Sequence, residues 1–209
     1  MNNHKLTSSK LILASASPRR KELLSLVGLN FDIIPSDANE TFLKDETPEE
    51  HVLRLSEEKV SIIAGLNPDA WVLGADTIVI INGKVLGKPV VADEARAMLR
   101  KLSGKKHKVI TGFTIARKNA DVMIRDVVES SVVFKEIPDD EIEWYVKTKE
   151  PYDKAGGYAV QGMGAFFIKE IHGSYTNVVG LPLCEVVETL KEVDAIRFVK
   201  GGIYVNGKR

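Results

Sequence analysis

The sequence WVLGADTIVIINGKVL, residues 71–86, decides the fold. Its first five residues are apolar, which predicts a buried strand. That strand runs directly into an acid, Asp76, and α/β proteins usually place their ligands at such strand ends. Further on, Asn82 and Gly83 lie between two apolar segments and favour a two-residue hairpin turn. The stretch therefore predicts a buried strand over residues 71–75 that ends at Asp76 and Thr77, followed by a hairpin of residues 78–81 and 84–86.

The segments around this stretch alternate between strand and helix patterns. Short apolar or alternating runs predict strands over residues 11–14, 31–34, 107–116, 122–134 and 165–171. Apolar residues at helical spacing predict helices over residues 20–27, 48–64, 93–102, 138–147 and 183–193. This mixture indicates an α/β fold with a mixed, strongly bent β-sheet and flanking helices.

A chain of 209 residues suits one α/β domain, or two small lobes that share a core. We assign residues 1–10 to an N-terminal extension and residues 11–194 to the domain. The remaining residues, 195–209, form a tail that carries no functional inference.

Composition restricts the classes of function. Lys plus Arg equals Asp plus Glu at 29 each, which argues against bulk binding to nucleic acid or membrane surfaces. The only cysteine is Cys184, which fits a reducing compartment, and its apolar neighbours predict a core position. The N-terminal residues do not resemble a signal peptide, and no apolar run approaches the ~20 residues that cross a bilayer. We therefore expect a cytoplasmic protein.

The motif SASPRR, residues 15–20, is the strongest chemical signal. Ser17 is a natural N-cap, and a proline follows at the first helical position. Arg19 and Arg20 then lie where the helix macrodipole already contributes about half a positive charge. Two cations there are misplaced unless an anion lies among them, so Ser15 and the arginines predict a polyphosphate site. The alternative is a solvated basic turn.

Other residues are ambiguous when taken singly. Asp76 could hold a divalent metal or orient water, or it could be an ordinary turn aspartate. Lys88, within Gly-Lys-Pro, could bind phosphate or be a surface lysine. Lys59 lies near the apolar side of its helix and either extends to solvent or faces a polar site. Gln161 offers both donors and an acceptor, as a pyrimidine edge requires, or it could be a solvated glutamine in a glycine-rich turn. Neither a Walker A pattern nor a Gly-x-Gly-x-x-Gly motif is present.

Taken together and in order, these motifs resemble the Maf family of nucleotide pyrophosphatases from about residue 11 to residue 190. The motifs are SASPRR at 15–20, LGADT at 73–77, GKP at 87–89, DKAG at 153–156, QG at 161–162 and GLP at 180–182. The resemblance implies a fold related to the inosine triphosphate pyrophosphatases (the Maf/Ham1 fold), with two lobes around a cleft. It also implies a divalent metal, Mg²⁺ or Mn²⁺, and a homodimer.

Three positions sort the sub-types of this family. Arg20, Thr77 and Gln161 match the type that hydrolyses dTTP and UTP, whereas the type that prefers 7-methyl-GTP has a glutamate in place of Gln161. A glutamate accepts from guanine N–H groups, while an amide pairs with both a donor and an acceptor. One departure is Asn39, which stands where the family usually has an acid, next to Glu40.

The resemblance implies attack of water on the α-phosphorus, with pyrophosphate as the leaving group. The implied catalytic residues are Asp76, Lys59 and Lys88. The implied substrate-binding residues are Ser15, Arg19, Arg20, Thr77, Lys154 and Gln161. The implied metal ligands are Glu40 and Asp76. Because aspartate is a weak base, our hypothesis is that Asp76 orients a water activated by the metal and does not itself act as a strong proton acceptor.

Two other functions compete with this interpretation. The family has a link to septum formation, so the chain could be a non-catalytic regulator of cell division or a nucleic-acid-binding module. The balanced charge and the lack of interleaved aromatic residues weigh against nucleic acid. An enzyme that removes damaged purine triphosphates is the third hypothesis, and Thr77 and Gln161 favour pyrimidines over it.

Overall fold

The computed structural model of the protein describes residues 10–206. The strands are β1 (Leu11–Leu13), β2 (Asp32–Ile33), β3 (Trp71–Ile81), β4 (Lys84–Leu86), β5 (Lys106–Arg117), β6 (Val122–Phe134), β7 (Ile168–His172), β8 (Ile196–Val199) and β9 (Gly202–Val205). The helices are α1 (Pro18–Leu26), α2 (Pro48–Leu66), α3 (Ala92–Leu102), α4 (Asp139–Val146), α5 (Tyr175–Val179) and α6 (Leu183–Glu192). Of the helices formed by residues 10–206, none combines the length and the apolar character needed to span a membrane.

A seven-stranded mixed sheet organises the chain. Its order is β2-β1-β3-β5-β6-β7, and β4 pairs with β3 outside this path. Strand β1 pairs in parallel with both β2 and β3, whereas β4 and β7 run antiparallel to β3 and β6. The predicted α/β fold with a mixed sheet is therefore confirmed, as is the hairpin at Asn82 and Gly83, both of which have positive φ.

The chain divides into two compact units. Unit 1 comprises the residues up to Asp76, Gly112–Val127 and the residues from Leu183 onward. Unit 2 comprises Thr77–Thr111 and Val128–Pro182. Strands β3, β5 and β6 each contribute one segment to each unit. The core of unit 2 lies among α3, α4 and strand residues such as Val109, Val132 and Phe134.

Helix α2 is the main helix of unit 1, and its start follows the sequence prediction. Thr47 is the N-cap, and its hydroxyl accepts a hydrogen bond from the backbone N–H of Glu50 at 3.2 Å. The carboxylate of Glu50 accepts in return from the Thr47 N–H at 2.9 Å, which completes a capping box. Its apolar face packs with β1 and β3 in a core that includes Val60, Ile63 and Val72.

Two glycines let α2 approach the sheet closely. A Cβ on Gly112 of β5 would lie 2.6 Å from the backbone carbonyl carbon and oxygen of Val52. A Cβ on Gly74 of β3 would lie 2.9 Å from the carbonyl oxygen of Ser56. Real side-chain atoms do not come that close to backbone, so both positions require glycine because of packing.

Four local predictions need correction. Residues 71–81 form the single strand β3, so Asp76 lies inside a strand and not at its end as predicted. Ser17 is the N-cap of α1 by position, but its side chain makes no capping hydrogen bond. Cys184 is exposed and not in the core, because the buried face of α6 is formed by Leu183, Val186 and Leu190 at helical spacing. The strand predicted over residues 165–171 begins only at Ile168, since residues 163–167 form a 3₁₀ turn.

The C-terminal tail, for which nothing was predicted, forms the hairpin β8–β9 in its described part. The backbone N–H of Asn206 donates to the Ala195 carbonyl at 2.7 Å and closes the hairpin. The predicted N-terminal extension lies outside the described residues, apart from Lys10.

The glycine contacts give a stability prediction. Gly112→Ala places a methyl group against the α2 backbone, and such overpacking typically lowers the free energy of unfolding by ~1–3 kcal/mol. Gly65→Ala is the matched control, because Gly65 is exposed on α2 and a Cβ there meets nothing within 4 Å. This control should raise stability by roughly 0.5–1 kcal/mol. Urea denaturation measures both variants, and equal stabilities would contradict the packing argument.

Candidate functional site

The SASPRR motif places Ser15 and Arg20 in contact inside unit 1. It spans the turn between β1 and α1, and both residues are only 8% exposed. One guanidinium nitrogen of Arg20, Nη1, donates to Ser15 Oγ at 3.1 Å and to the Ala75 carbonyl at 2.7 Å. Arg20 thereby ties the motif to β3, one residue before Asp76. Arg19 is half-buried.

Lys59 joins two acidic residues that are far apart in sequence. Its Nζ donates to Asp76 Oδ1 and to Glu40 Oε1, each at 2.8 Å. Lys59 and Asp76 are buried, at 7% and 8% exposure, whereas Glu40 is exposed. The alternative in which Lys59 extends to solvent is therefore wrong.

The packing of α2 explains how Lys59 reaches Asp76. Gly74, two residues before Asp76, faces α2, and a Cβ there would lie 2.8 Å from Val60 Cγ2 and 3.4 Å from Lys59 Cβ. On the same helix Ser56 Oγ lies 2.8 Å from Thr114 Oγ1 of β5, which fixes the helix laterally. The glycine of LGADT is thus a structural requirement of the charged cluster.

The charges of the cluster compensate one another. Burial lowers the pKa of the Arg20 guanidinium, and the nearby carboxylates of Asp76 and Glu40 act against that shift. A buried cation and a buried carboxylate are tolerable only when paired and hydrogen-bonded. Ser15, Arg20, Glu40, Lys59 and Asp76 therefore form one polar cluster, which we call the unit 1 cluster.

The unit 1 cluster offers oxygen ligands for a divalent cation. Among residues 10–206, no three His, Cys, Asp or Glu side chains gather as a complete metal site. Mg²⁺ does not require one, since it is commonly bound by one or two carboxylates together with substrate phosphates. Asp76 and Glu40, joined through Lys59, match that pattern.

Unit 2 holds the other predicted residues. Thr77 Oγ1 lies 2.9 Å from Thr111 Oγ1 and donates to the Gly180 carbonyl at 3.3 Å. Gly180 has φ 127°, a backbone conformation that favours glycine. These contacts connect Thr77, the last residue of LGADT, with GLP in this unit.

The glycine-rich segment after Lys154 packs against the turn that carries Lys88. The backbone N–H of Gly156 donates to the Gly87 carbonyl at 3.0 Å, and Lys88 itself is exposed. Gly156 has φ 72°, and a Cβ there would lie 3.0 Å from Val79 Cγ1. GKP and DKAG are therefore adjacent in unit 2.

Lys154 and Gln161 lie on either side of that glycine segment. Lys154 Nζ donates to the Glu150 carbonyl at 2.8 Å and forms an ion pair with Asp153. Gln161 is exposed. The Gln161 amide is therefore accessible to a ligand. The Lys154 ammonium group is held in place by two oxygen acceptors.

A cavity of about 470 Å³ lies elsewhere on unit 1. It is lined by residues of α2, including Arg54 and Glu57, and by Arg125 of β6. None of the predicted site residues lines it, so the candidate site and this cavity do not coincide.

Comparison with known proteins identifies the family. A family profile described as "Maf-like protein" matches residues 10–193. The chain belongs to the Maf family. It is 63% identical over 193 residues to the dTTP/UTP pyrophosphatase of Syntrophus aciditrophicus, covering 92% of this chain and 94% of that protein. It is 49% identical over 188 residues to the dTTP/UTP pyrophosphatase of Geotalea uraniireducens, covering 90% and 97%.

The fold of this Maf chain is similar to that of a solved HAM1 protein from Coxiella burnetii. The TM-score is 0.53 at 14% sequence identity, covering 88% of this chain and 99% of that one. Identity this low shows the fold alone, and it confirms the predicted Maf/Ham1 relationship.

Two supporting residues of this Maf chain escaped the sequence analysis, and one of them is Glu46. Its carboxylate accepts from the Leu43 N–H at 3.0 Å, from Arg54 Nε at 2.6 Å and lies 2.9 Å from His51 Nδ1. Phe42 stacks on His51 with ring centroids 3.5 Å apart. Glu46 thus fastens the loop that carries Glu40 onto α2. The sequence indicates such a role only through the position of Glu46 directly before Thr47, the N-cap of α2.

The second is Glu150, whose carboxylate accepts hydrogen bonds from Tyr145 and from the backbone N–H groups of Met163 and Gly164. Its only sequence signal is its position four residues before Lys154. No pattern in the sequence announces contacts between Glu150 and residues 163–164.

The Glu46 contacts predict a pH-dependent contribution to stability. Hydrogen bonding to Arg54, foremost, lowers the pKa of Glu46 from 4.5 to about 2. A carboxyl group with a lowered pKa in the folded state stabilises the fold above its unfolded pKa and loses that contribution as pH falls. Glu46→Gln should therefore be less stable than wild type at neutral pH, and the difference should shrink below about pH 4.5.

Urea denaturation at several pH values measures this difference. Glu22→Gln, at an exposed position on α1, is the matched control and should show little difference at any pH. A Glu46→Gln deficit that stayed constant down to pH 3 would show that ionisation of Glu46 is not its source.

Proposed function

We propose that the chain hydrolyses nucleoside triphosphates, preferentially dTTP and UTP, to the monophosphate and pyrophosphate. The names of its relatives support this substrate class, and those proteins align with most of the chain. The observation that carries the proposal is the unit 1 cluster, in which Lys59 joins Asp76 and Glu40 beside Ser15 and Arg20. Buried charges of both signs, next to the turn that joins the end of β1 to α1, suit a polyphosphate.

In the proposed reaction a water oxygen forms a bond to the α-phosphorus. The bond from that phosphorus to the oxygen bridging the α and β phosphates breaks, and pyrophosphate leaves. Asp76 orients the attacking water through a hydrogen bond, and one proton of that water is released to solvent. A divalent cation held by Asp76 and Glu40 would supply positive charge against the phosphate oxygens. Positioning and charge stabilisation dominate such phosphoryl transfers.

The cationic residues bind phosphate and stabilise the leaving group in this proposal. Arg19, Arg20 and Ser15 bind phosphate oxygens, while Lys59 and Lys88 stabilise charge on the α-phosphate and on pyrophosphate. Lys59 also keeps the two carboxylates close together, because each accepts a hydrogen bond from its ammonium group. Removing Lys59 would leave the two carboxylates with less compensation of their mutual repulsion, since Arg20 would then be the cation of the cluster.

In this proposal Gln161 selects the base. Gln161 supplies an amide donor and an acceptor to a pyrimidine edge, and Thr77 belongs to the same sub-type pattern. Lys154 contacts the nucleotide through its ammonium group. We further propose a homodimer in the cytoplasm that acts on normal or modified pyrimidine triphosphates, with a link to septum formation.

A nucleotide panel tests the function directly. The full chain is incubated with dTTP, UTP, CTP, GTP, ITP and 7-methyl-GTP and with Mg²⁺ or Mn²⁺, and both pyrophosphate and orthophosphate are measured. We expect pyrophosphate from dTTP and UTP. Orthophosphate as the sole inorganic product would contradict cleavage at the α-phosphorus. Preference for ITP would favour removal of damaged purines, and tight salt-sensitive DNA binding without hydrolysis would favour the nucleic-acid module.

Asp76→Asn tests the central acid. The amide no longer supplies a negative charge to hold a cation, although its oxygen can still accept a hydrogen bond from Lys59. We expect kcat to fall by at least ~100-fold, within the range for a positioned acid or base. Pyrophosphate release at saturating metal measures the effect, and Asp140→Asn, at an exposed position, should keep wild-type turnover. An Asp76→Asn variant within a few-fold of wild type would remove Asp76 from the mechanism.

Gln161→Glu tests base selection. A glutamate accepts hydrogen bonds but donates none, so it should disfavour a pyrimidine carbonyl and favour guanine N–H groups. We expect the ratio of kcat/KM for dTTP to that for 7-methyl-GTP to fall at least ~10-fold, equivalent to ~1.4 kcal/mol. Gln161→Ala separates the loss of dTTP recognition from a gain of 7-methyl-GTP recognition. It should lower kcat/KM for dTTP without raising kcat/KM for 7-methyl-GTP. A ratio unchanged in both variants would exclude Gln161 from base recognition.

A further inference from the structure

Glu150 binds the loop that follows Gln161. Its Oε1 accepts from the Tyr145 hydroxyl and from the Gly164 N–H, both at 2.8 Å. Its Oε2 accepts from the Met163 N–H at 2.9 Å. Three donors from two separate segments therefore meet on one carboxylate. Hydrogen bonds to a charged acceptor are roughly twice as strong as neutral ones, so this contact is a firm attachment.

Two glycines of the loop leave the space that this carboxylate occupies. A Cβ on Gly162 would lie 2.2 Å from Glu150 Oε2, and a Cβ on Gly164 would lie 2.8 Å from the Tyr145 hydroxyl. The carboxylate of a glutamate side chain can normally move away from such a contact at little cost in free energy. Here three hydrogen bonds hold it, so residues 162 and 164 have to be glycine for the loop to close around it.

The attachment rests on the core of unit 2. Tyr145 is fully buried in α4, and its ring packs edge-on against Phe167 with centroids 5.1 Å apart. Burial raises the pKa of the Tyr145 hydroxyl, which therefore remains a donor. Burial also raises the pKa of Glu150, but the hydrogen bonds from Gly164, Met163 and Tyr145 together outweigh it and leave that pKa lowered. The carboxylate is ionised at neutral pH.

The same residue also holds Lys154. Its backbone carbonyl accepts from Lys154 Nζ at 2.8 Å. The glycine segment lies between Lys154 and the loop that the carboxylate binds. Within that segment the Gly162 N–H donates to the Ala159 carbonyl at 3.4 Å. One residue thus fixes both the ammonium group of Lys154 and the backbone next to the Gln161 amide.

We propose that Glu150 is a positioning residue for base selection: its carboxylate holds the loop of residues 161–164 so that the Gln161 amide is presented to a pyrimidine. This inference rests on the proposed function and names a determinant of its substrate preference. Glu150 acts through Gln161 and does not touch the reacting atoms. Its loss should therefore alter KM and selectivity more than kcat.

Glu150→Gln is the main test. The amide has the same shape, but its NH₂ group faces an N–H or O–H donor, so the loop has to shift. We expect kcat/KM for dTTP to fall at least ~10-fold, chiefly through KM, because one polar group is left unpaired. We also expect the preference for dTTP over GTP to fall by a similar factor. Tyr145→Phe removes one of the three donors and should act in the same direction more weakly.

Glu143→Gln is the matched control on α4. It loses charge in a pair with Arg96 Nε at 2.6 Å but does not contact the loop. This control should keep wild-type KM and selectivity. Urea denaturation of each variant shows whether the fold persists, and a Glu150→Gln variant that is destabilised yet retains full dTTP preference would overturn the proposal.

A double mutant separates positioning from general disruption. If Glu150 acts through Gln161, then Glu150→Gln should change selectivity little when Gln161 is already alanine. Fully additive effects would overturn the proposal. Amide hydrogen exchange at Met163 and Gly164 tests the attachment without activity, and Glu150→Gln should speed exchange there by at least ~10-fold. Wild-type protein that hydrolyses no triphosphate would refute the proposed function, whereas active wild type with unaltered variants would refute only the role of Glu150.

Discussion

The close approach of helix α2 to strands β3 and β5 is the constraint on which the unit 1 cluster depends. Gly74 and Gly112 supply it, because any side chain at either position would collide with the helix backbone or its side chains. At that distance the stem of Lys59 lies beside β3, and its ammonium group reaches Asp76. A helix held farther from the sheet would leave Asp76 buried without its cation. The glycine of LGADT thus serves the chemistry although it carries no functional group.

Charge compensation then decides how the cluster can respond to a ligand. Lys59 bridges a buried carboxylate and an exposed one, so the two acids differ in their access to solvent. Asp76 is buried within strand β3, whereas Glu40 lies on an exposed loop that Glu46 attaches to α2. A cation and a polyphosphate that enter together bring charges of both signs. Such a pair changes the net charge of the cluster less than either would alone.

Much of this organisation could be predicted from the sequence. Apolar periodicity located five of the six described helices and placed the start of α2 at residue 48, but it did not predict α5. The ordered motifs identified the family and its candidate residues. Contacts between distant segments could not be predicted in this way. Lys59 remained ambiguous because helical spacing alone does not show what faces a residue. Glu150 was missed because hydrogen bonds from residues 163–164 leave no pattern near it, and those bonds also replace the start of the predicted strand with a 3₁₀ turn.

The division of the chain into two discontinuous units has a consequence for its synthesis. Unit 1 needs helix α6, which begins at Leu183, in addition to the segments up to Asp76 and over Gly112–Val127. At a synthesis rate of ~5–20 residues per second, roughly ten seconds pass between the synthesis of Asp76 and that of helix α6. Unit 2 is complete earlier, at Pro182. Strand β3, which carries Asp76, has one unpaired edge until β5 has been synthesised, and a chaperone that shields strand edges would be of most use at that stage.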